Sequence, residues 1–193
     1  EYALKHGNTC EDFVDVLQTI DRQTDKASLL LNQLLFFARL NQKKAKITLS
    51  KLNLSTLVDS VCKDRQILLK RGLNLKTDIA TEIFVYANES LITRLLNNLI
   101  DNAVKYIGNG TTVQVSLYRN ENYVFLSVKD DGIGISPENI DKIWNRFYME
   151  DSSRSETAEN SFGLGLSMVK EIAALHNGRM EVISKQESGS TFT

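Results

Sequence analysis

Residues 89–107 read Glu89-Ser90-Leu91-Ile92-Thr93-Arg94-Leu95-Leu96-Asn97-Asn98-Leu99-Ile100-Asp101-Asn102-Ala103-Val104-Lys105-Tyr106-Ile107. Apolar residues recur at three- and four-residue steps, the period of a helix with one buried face. Ile92, Leu95, Leu96, Leu99 and Ala103 share that face. Thr93, Asn97 and Asp101 point broadly toward solvent. Asn98, Asn102 and Lys105, spaced by four and three, form a third, polar stripe. Two amides and an ammonium suit a magnesium-triphosphate: an amide oxygen ligates a hard cation, and the ammonium meets phosphate oxygens. Exposed Asn and Lys are common, however, so the stripe taken alone is better read as a solvated face.

Working outward, the periodicity changes repeatedly, as in an α+β domain. Upstream, residues 47–54 alternate like a strand, Ser55 is placed to cap a helix reaching about Arg71-Gly72, and strands are expected over 73–79 and 83–86. Downstream, Gly108 closes the quoted helix. Strands over 111–117 and 123–128 form a hairpin around Arg119-Asn120-Glu121-Asn122. A short helix follows Ser136-Pro137, with proline at its first position. Residues 150–161 are rich in serine and charge and lack periodicity, which predicts a mobile loop. A helix over 163–176 and strands around 180–184 and from 191 complete the chain.

Residues 9–41 are different in kind. Thr9 offers an N-cap, and Phe13, Leu17, Ile20, Thr24, Ala27, Leu31, Leu34 and Ala38 alternate steps of four and three, the seam of a coiled coil or four-helix bundle. Leu30, Leu35 and Phe37 widen it, as a bundle core requires. Gly7-Asn8 reads as a tight turn back to a helix of which residues 1–6 are the last turns. Gln42, Lys43, Lys44 and Lys46 read as a basic linker.

The 193 residues carry a formal charge of −1, so no basic surplus points to a nucleic-acid partner. Cys10 and Cys62 match no metal spacing and are expected as reduced thiols. No stretch approaches the roughly 20 apolar residues of a membrane helix. Both ends look cut, inside a helix at Glu1 and inside a strand at Thr193.

Two further segments carry chemistry. Lys129-Asp130-Asp131-Gly132-Ile133-Gly134-Ile135 ends a strand in a turn with glycines two apart. The glycines permit close backbone approach to a ligand, and an acceptor-only carboxylate before them suits the exocyclic amino group of adenine. An Asp-Gly turn is the plain alternative. Ser161-Phe162-Gly163-Leu164-Gly165-Leu166 opens a helix whose free N–H groups suit phosphate, although an ordinary helix start explains it as well. Neither the P-loop nor the dinucleotide fingerprint is matched.

The order of these segments is specific. The polar-striped helix, Asp-x-Gly-x-Gly, Ile143-Trp144-Asn145-Arg146-Phe147-Tyr148 and Gly-Leu-Gly-Leu resemble the N box, first glycine box, F box and second glycine box of the histidine kinase catalytic domain, over essentially the whole chain. The resemblance implies a Bergerat-type α/β sandwich, a mixed sheet covered on one face by helices, preceded by a coiled-coil or four-helix-bundle helix. It divides the chain into a partial dimerisation and phosphotransfer hairpin (1–44), a linker (45–50) and a catalytic ATP-binding domain (51–193).

Carried across by motif, Asn102 is implied as the Mg²⁺ ligand, with Lys105 on phosphate and Asn98 near the phosphates. Tyr106 walls the adenine pocket. Asp130 takes the adenine amino group, with Gly132, Gly134 and Ile135 shaping the pocket. Tyr148 and residues 150–161 form a lid, with Ser161, Phe162, Gly163, Leu164, Gly165 and Leu166 at its far end. Ser161 stands where many members carry glycine. Arg146 is implied either on phosphate or bracing the lid through a carboxylate. The implied cofactors are ATP and Mg²⁺, and the implied partners are a second copy through the hairpin and a response regulator receiver domain. The implied setting is a cytoplasmic region of a membrane-anchored bacterial parent.

The family's acceptor is a histidine followed by an acidic residue. The histidines here are His6, beside the turn, and His176, at a helix C-terminus where a partly cationic ring favours the dipole. Both read as structural. The acceptor is therefore expected before Glu1, and the chain alone is expected to bind ATP without phosphorylating itself. A Bergerat-fold ATPase clamp and a nucleotide-binding module without kinase activity are the competing readings. The upstream heptad helix speaks against the first, and intact Asn102, Asp130 and glycine pairs against the second.

Overall fold

The computed structural model describes residues 10–41, 47–68, 72–149 and 162–193. The helical stub at 1–6, the Thr9 cap, the linker residues 42–46 and the 150–161 loop with Ser161 lie outside the described residues. The chain forms two compact units, Glu1–Ala45 and Lys46–Thr193.

In the first unit, helix α1 (Cys10–Asn41) runs unbroken for 32 residues, about 48 Å at 1.5 Å per residue. Its heptad residues Phe13, Leu17, Ile20, Leu31 and Leu34 are solvent-exposed in the single chain. Thr24, the polar member of the seam, returns its hydroxyl proton to the Ile20 carbonyl at 2.9 Å, so it adds no unsatisfied donor to that apolar line.

The second unit is an α/β sandwich. Strands β1 (Ser50–Asn53) and β3 (Phe84–Ala87) form a two-stranded antiparallel sheet. β2 (Asn74–Ile79), β4 (Thr112–Arg119), β5 (Val124–Asp130), β6 (Val182–Ser184) and β7 (Ser190–Phe192) form a five-stranded sheet in the order β2-β4-β5-β7-β6. β2 and β4 are parallel because the chain between them crosses over through β3 and helix α3 (Glu89–Lys105), and the remaining pairs are antiparallel. Helices α2 (Leu54–Leu68), α3 and α4 (Gly165–Leu175) complete the unit.

Strict alternation places Val113, Val115 and Leu117 of β4 in the core, with Val128 opposite Val115 on β5. Leu96, Leu99 and Ile100 of α3 and Met168, Val169 and Ile172 of α4 close over them, each at most 1% exposed.

Three local expectations change. Ser55 does not cap α2. Asn53 does, its Oδ1 accepting from the Thr56 amide at 3.2 Å. Ser55 instead donates to the Ala80 carbonyl (2.6 Å) and accepts from the Ile83 amide (3.0 Å), tying α2 to the turn before β3. After Ser136 the chain makes two short 3₁₀ turns, Pro137–Asn139 and Lys142–Trp144. The Asn97/Asp101 face of α3 is shared between solvent and protein: Asp101 stays exposed, yet Arg65 of α2 reaches across, its Nε 2.7 Å from Asn97 Oδ1 and its Nη1 2.9 Å from Asp101 Oδ1.

Candidate functional site

Helix α3 starts at Asn88, whose Oδ1 accepts from the Leu91 amide at 3.1 Å. With Leu95, Leu96, Leu99, Ile100 and Ala103 buried, the helix has one rotational setting, and the Asn98/Asn102/Lys105 stripe is held at the edge of that core. Asn98 donates through Nδ2 to the Arg94 carbonyl at 2.8 Å and lies 3.7 Å from Met168 Sδ. Its oxygen faces the start of α4: a methyl on Gly165 would come within 3.2 Å of it. The Asn102 side chain takes no hydrogen bond among the described residues, so its amide oxygen is available. Mg²⁺ keeps several waters and substrate oxygens and needs only one or two protein ligands, so a single amide oxygen fits it. Lys105 Nζ rests on Tyr106, 2.8 Å from its hydroxyl and 4.5 Å from its ring centroid.

The C-terminal end of α3 docks on the first glycine box. The Ile133 amide donates to the Tyr106 carbonyl at 3.0 Å. A Cβ on Gly132 would meet that same carbonyl at 2.2 Å, so glycine is required by contact. Gly134 has φ +68°, and a Cβ there would lie 2.1 Å from the Lys185 carbonyl. The box thus sits between α3 and the β6–β7 turn.

Asp130, at the end of β5, is 5% exposed. Its Oδ1 accepts from the Gly132 amide (2.9 Å) and the Ser190 amide (3.2 Å), while Oδ2 takes no hydrogen bond among the described residues. Burial raises the carboxyl above its ordinary range; the Gly132 and Ser190 amides offset part of this and Asp131 adds to it. One oxygen is fixed by the protein and the other is left as a pure acceptor. Ile135, next along the box, donates its amide to Ser184 Oγ at 2.8 Å.

Farther along, the Tyr148 hydroxyl donates to Oδ1 of buried Asn139 at 2.7 Å. The Phe147 amide donates to the Gly163 carbonyl at 2.9 Å, joining the F box to the second glycine pair. Gly163 has φ +65° and leaves no room for a Cβ against the Tyr148 carbonyl. Arg146 lies 3.5 Å from Glu171 of α4, the carboxylate pairing of its two expected arrangements. Leu164 is 1% exposed and packs in the core, so only its backbone is open to a ligand. Phe162 and Leu166 are half-buried, and Gly165 begins α4.

The structure therefore joins the striped helix to α4 through Asn98 and Gly165, and to the glycine box through Tyr106 and Ile133. It also adds residues that the sequence reading missed. Gly189 and Ser190 adjoin Asp130 from the β6–β7 turn, and Ser184 holds that turn through the Gly189 carbonyl and the Ser190 hydroxyl; the available signal was a Gly-Ser pair opening the last strand. Asp131 Oδ1 accepts from the Thr111 and Thr112 amides, both at 2.9 Å, locking the turn after α3. His176 is structural for a different reason from the one expected. Its Nε2 faces the Asn88 amide at 3.0 Å and its Nδ1 the Ile172 carbonyl at 2.8 Å. An amide only donates and a carbonyl only accepts, so this arrangement holds the neutral Nδ1–H tautomer.

Residues 87–193 match the family described as Histidine kinase-, DNA gyrase B-, and HSP90-like ATPase. The chain is 32% identical over 180 residues to the sensor histidine kinase RppB of Synechocystis sp., covering 92% of this chain and 39% of that protein. It is 32% identical over 178 residues to the phosphate regulon sensor protein PhoR of Pseudomonas aeruginosa, covering 92% and 40%. The chain thus spans about two-fifths of the length of these relatives. Among solved structures, full-length ShkA in complex with AMPPNP superimposes with a TM-score of 0.77 at 25% identity, covering 95% of this chain and 38% of that one. Histidine kinase AdeS of Acinetobacter baumannii superimposes with a TM-score of 0.72 at 22% identity, covering 96% and 83%, a likeness of fold. With the match spanning more than half of its residues and taking in α3, both glycine pairs and the β6–β7 turn, the chain belongs to the histidine kinase-, DNA gyrase B- and HSP90-like ATPase family.

Proposed function

We propose that this chain is the ATP-binding catalytic region of a sensor histidine kinase. It binds Mg·ATP and donates the γ-phosphoryl group to a histidine outside these residues, for onward transfer to a response regulator aspartate. The observation that carries this reading is the buried Asp130 carboxylate, with one oxygen held by two backbone amides and the other left as an acceptor. That arrangement matches the N–H donor of adenine's 6-amino group.

In this reading Asn102 holds Mg²⁺ together with phosphate oxygens and water, and the metal supplies charge neutralisation along the triphosphate. Lys105 leaves the Tyr106 hydroxyl to meet phosphate, Tyr106 walls the base, and the α4 N-terminus at Gly163–Leu166 faces the phosphates. The binding of AMPPNP by ShkA supports the same choice of ligand. The exposed seam of α1 is assigned to a homodimer, since five large apolar residues along one heptad line call for a partner helix. The domain boundaries 1–44, 45–50 and 51–193 are retained, as is a cytoplasmic setting in a membrane-anchored parent. No described helix is long and apolar enough to cross a membrane.

Calorimetry with Mg·ATP on the wild type, Asp130→Asn and Asn102→Ala tests the site; unchanged affinity in both variants refutes it. Labelled ATP given to the parent protein tests the reaction, with an acid-labile, base-stable phosphate expected.

A further inference from the structure

Ser184 Oγ has three polar neighbours: the Ile135 amide at 2.8 Å, the Gly189 carbonyl at 2.9 Å and Ser190 Oγ at 2.9 Å. A hydroxyl has one proton and two lone pairs. The carbonyl can only accept, so the Ser184 proton goes to Gly189. The amide can only donate, so it occupies one lone pair of Ser184. The remaining lone pair must then accept from Ser190, whose own proton is committed to Ser184. Proton directions along the chain Ser190–Ser184–Gly189 are fixed by its two ends.

This chain lies beside the proposed base site. Ser190 is Asp130's cross-strand neighbour, one step beyond the Lys129–Thr191 pair, and its amide donates to Asp130 Oδ1. A Cβ on Gly189 would lie 2.0 Å from the Asp130 carbonyl, so the turn is pressed against the end of β5. With its proton committed, Ser190 has only lone pairs to offer, next to a carboxylate that offers only lone pairs.

We propose that Ser184 determines base specificity, as a positioning residue acting through Ser190. By taking the Ser190 proton it leaves the Ser190 hydroxyl acceptor-only beside Asp130, which favours a 6-amino over a 6-oxo group where the base's 6-substituent meets this pair. This rests on the ATP reading of the Asp130 site. Were Ser184 unable to accept, the Ser190 hydroxyl would turn outward and donate, and a 6-oxo base would gain a partner.

The test is the ratio of dissociation constants for Mg·ATP and Mg·ITP, which differ at the 6-position of the base and in the N1 hydrogen that accompanies the 6-oxo group, measured by calorimetry. The wild type favours ATP. Ser184→Ala lowers the preference about tenfold, the scale of one hydrogen bond gained by the wrong base, chiefly by tightening ITP. Ser184→Cys, close in size but a poor acceptor, lowers it too and serves if the alanine variant does not fold. Ser184→Thr keeps it. In a Ser190→Ala background, Ser184→Ala moves the ratio no further, because the hydroxyl it directs is gone; a turn-stabilising role alone would still shift it. A wild type that discriminates while folded Ser184→Ala and Ser184→Cys keep its ratio overturns this inference alone. A wild type that binds neither nucleotide overturns it together with the reading it rests on.

Discussion

Arg65 holds Asp101 with both terminal nitrogens, Nη1 2.9 Å from Oδ1 and Nη2 3.1 Å from Oδ2, one residue before the proposed metal ligand Asn102. Its Nε is spent on Asn97, one helical turn earlier. The grip sets how far α3 is rotated and slid against α2. The pair is partly exposed, so water screens it. Arg65→Ala is expected to cost about 1–2 kcal/mol of stability by urea titration, with a parallel loss of Mg·ATP affinity. Arg65→Lys recovers only part of both, since an ammonium cannot reproduce the planar fork.

Asp130→Asn separates binding from stability. The asparagine oxygen still accepts from Gly132 and Ser190, but the other position becomes a donor. ATP affinity is expected to fall about 10–100-fold, the worth of a hydrogen bond to a charged group. The nucleotide-free protein is expected to melt at a higher temperature at neutral pH, because the cost of burying a charge is removed. The pH dependence follows from the upward shift of the folded-state pKa. The stabilisation from the neutral carboxyl is complete below the ordinary aspartate pKa, roughly 4, and is lost as pH rises through the elevated folded value. The wild type therefore gains stability relative to the asparagine variant on acidification through that window. ATP affinity moves the other way, weakening as the acceptor is protonated, and the variant shows no such dependence.

The Cys62 thiol, on α2, is buried, and burial chiefly pushes its pKa up to about 11, with Asp59 adding to the shift. At pH 7.5 it is expected to resist iodoacetamide until the domain opens. Peptide mapping distinguishes it from Cys10. Saturating Mg·ATP should slow Cys62 labelling, since a ligand of the folded state alone suppresses the open one. Rapid labelling with unfolding-independent kinetics would contradict the packing.

Neither ring nitrogen of His176 is available as a nucleophile, one accepting from the Asn88 amide and the other donating to the Ile172 carbonyl. With labelled Mg·ATP, mass spectrometry under basic conditions is expected to find no phosphohistidine at position 176. His176→Ala should cost about 1 kcal/mol in thermal unfolding, because the half-buried Asn88 amide loses its acceptor.

What could be read in advance was whatever repeats with the period of its own element. The alternation of Val113, Val115 and Leu117 and the apolar stripe of α3 each state which face is buried, and the structure buries them, with Ile92 at the start of the stripe only half-buried. The motif order told which loops belong together. What stayed hidden was carried by backbone amides and by distance. The Ser190 amide reaches Asp130 from 60 residues away, and an N–H group is the same on every residue but proline. Asn97 and Asp101 read as a solvent face because polarity does not reveal a partner 32 and 36 residues upstream of them, here Arg65. Arg146 had two plausible partners by chemistry, and the fold alone placed it beside Glu171.

The place of β7 in the sheet has a consequence for synthesis. Formed by residues 190–192, it lies between β5 and β6 and brings the Ser190 amide to Asp130. A ribosome that has delivered both glycine pairs, the striped helix and every implied nucleotide ligand has still made a chain whose sheet is open and whose key carboxylate lacks a support. Such long-range pairing is slow to form and leaves strand edges bare meanwhile. Nascent chains stalled before residue 190 should therefore be substrates for chaperones and proteases.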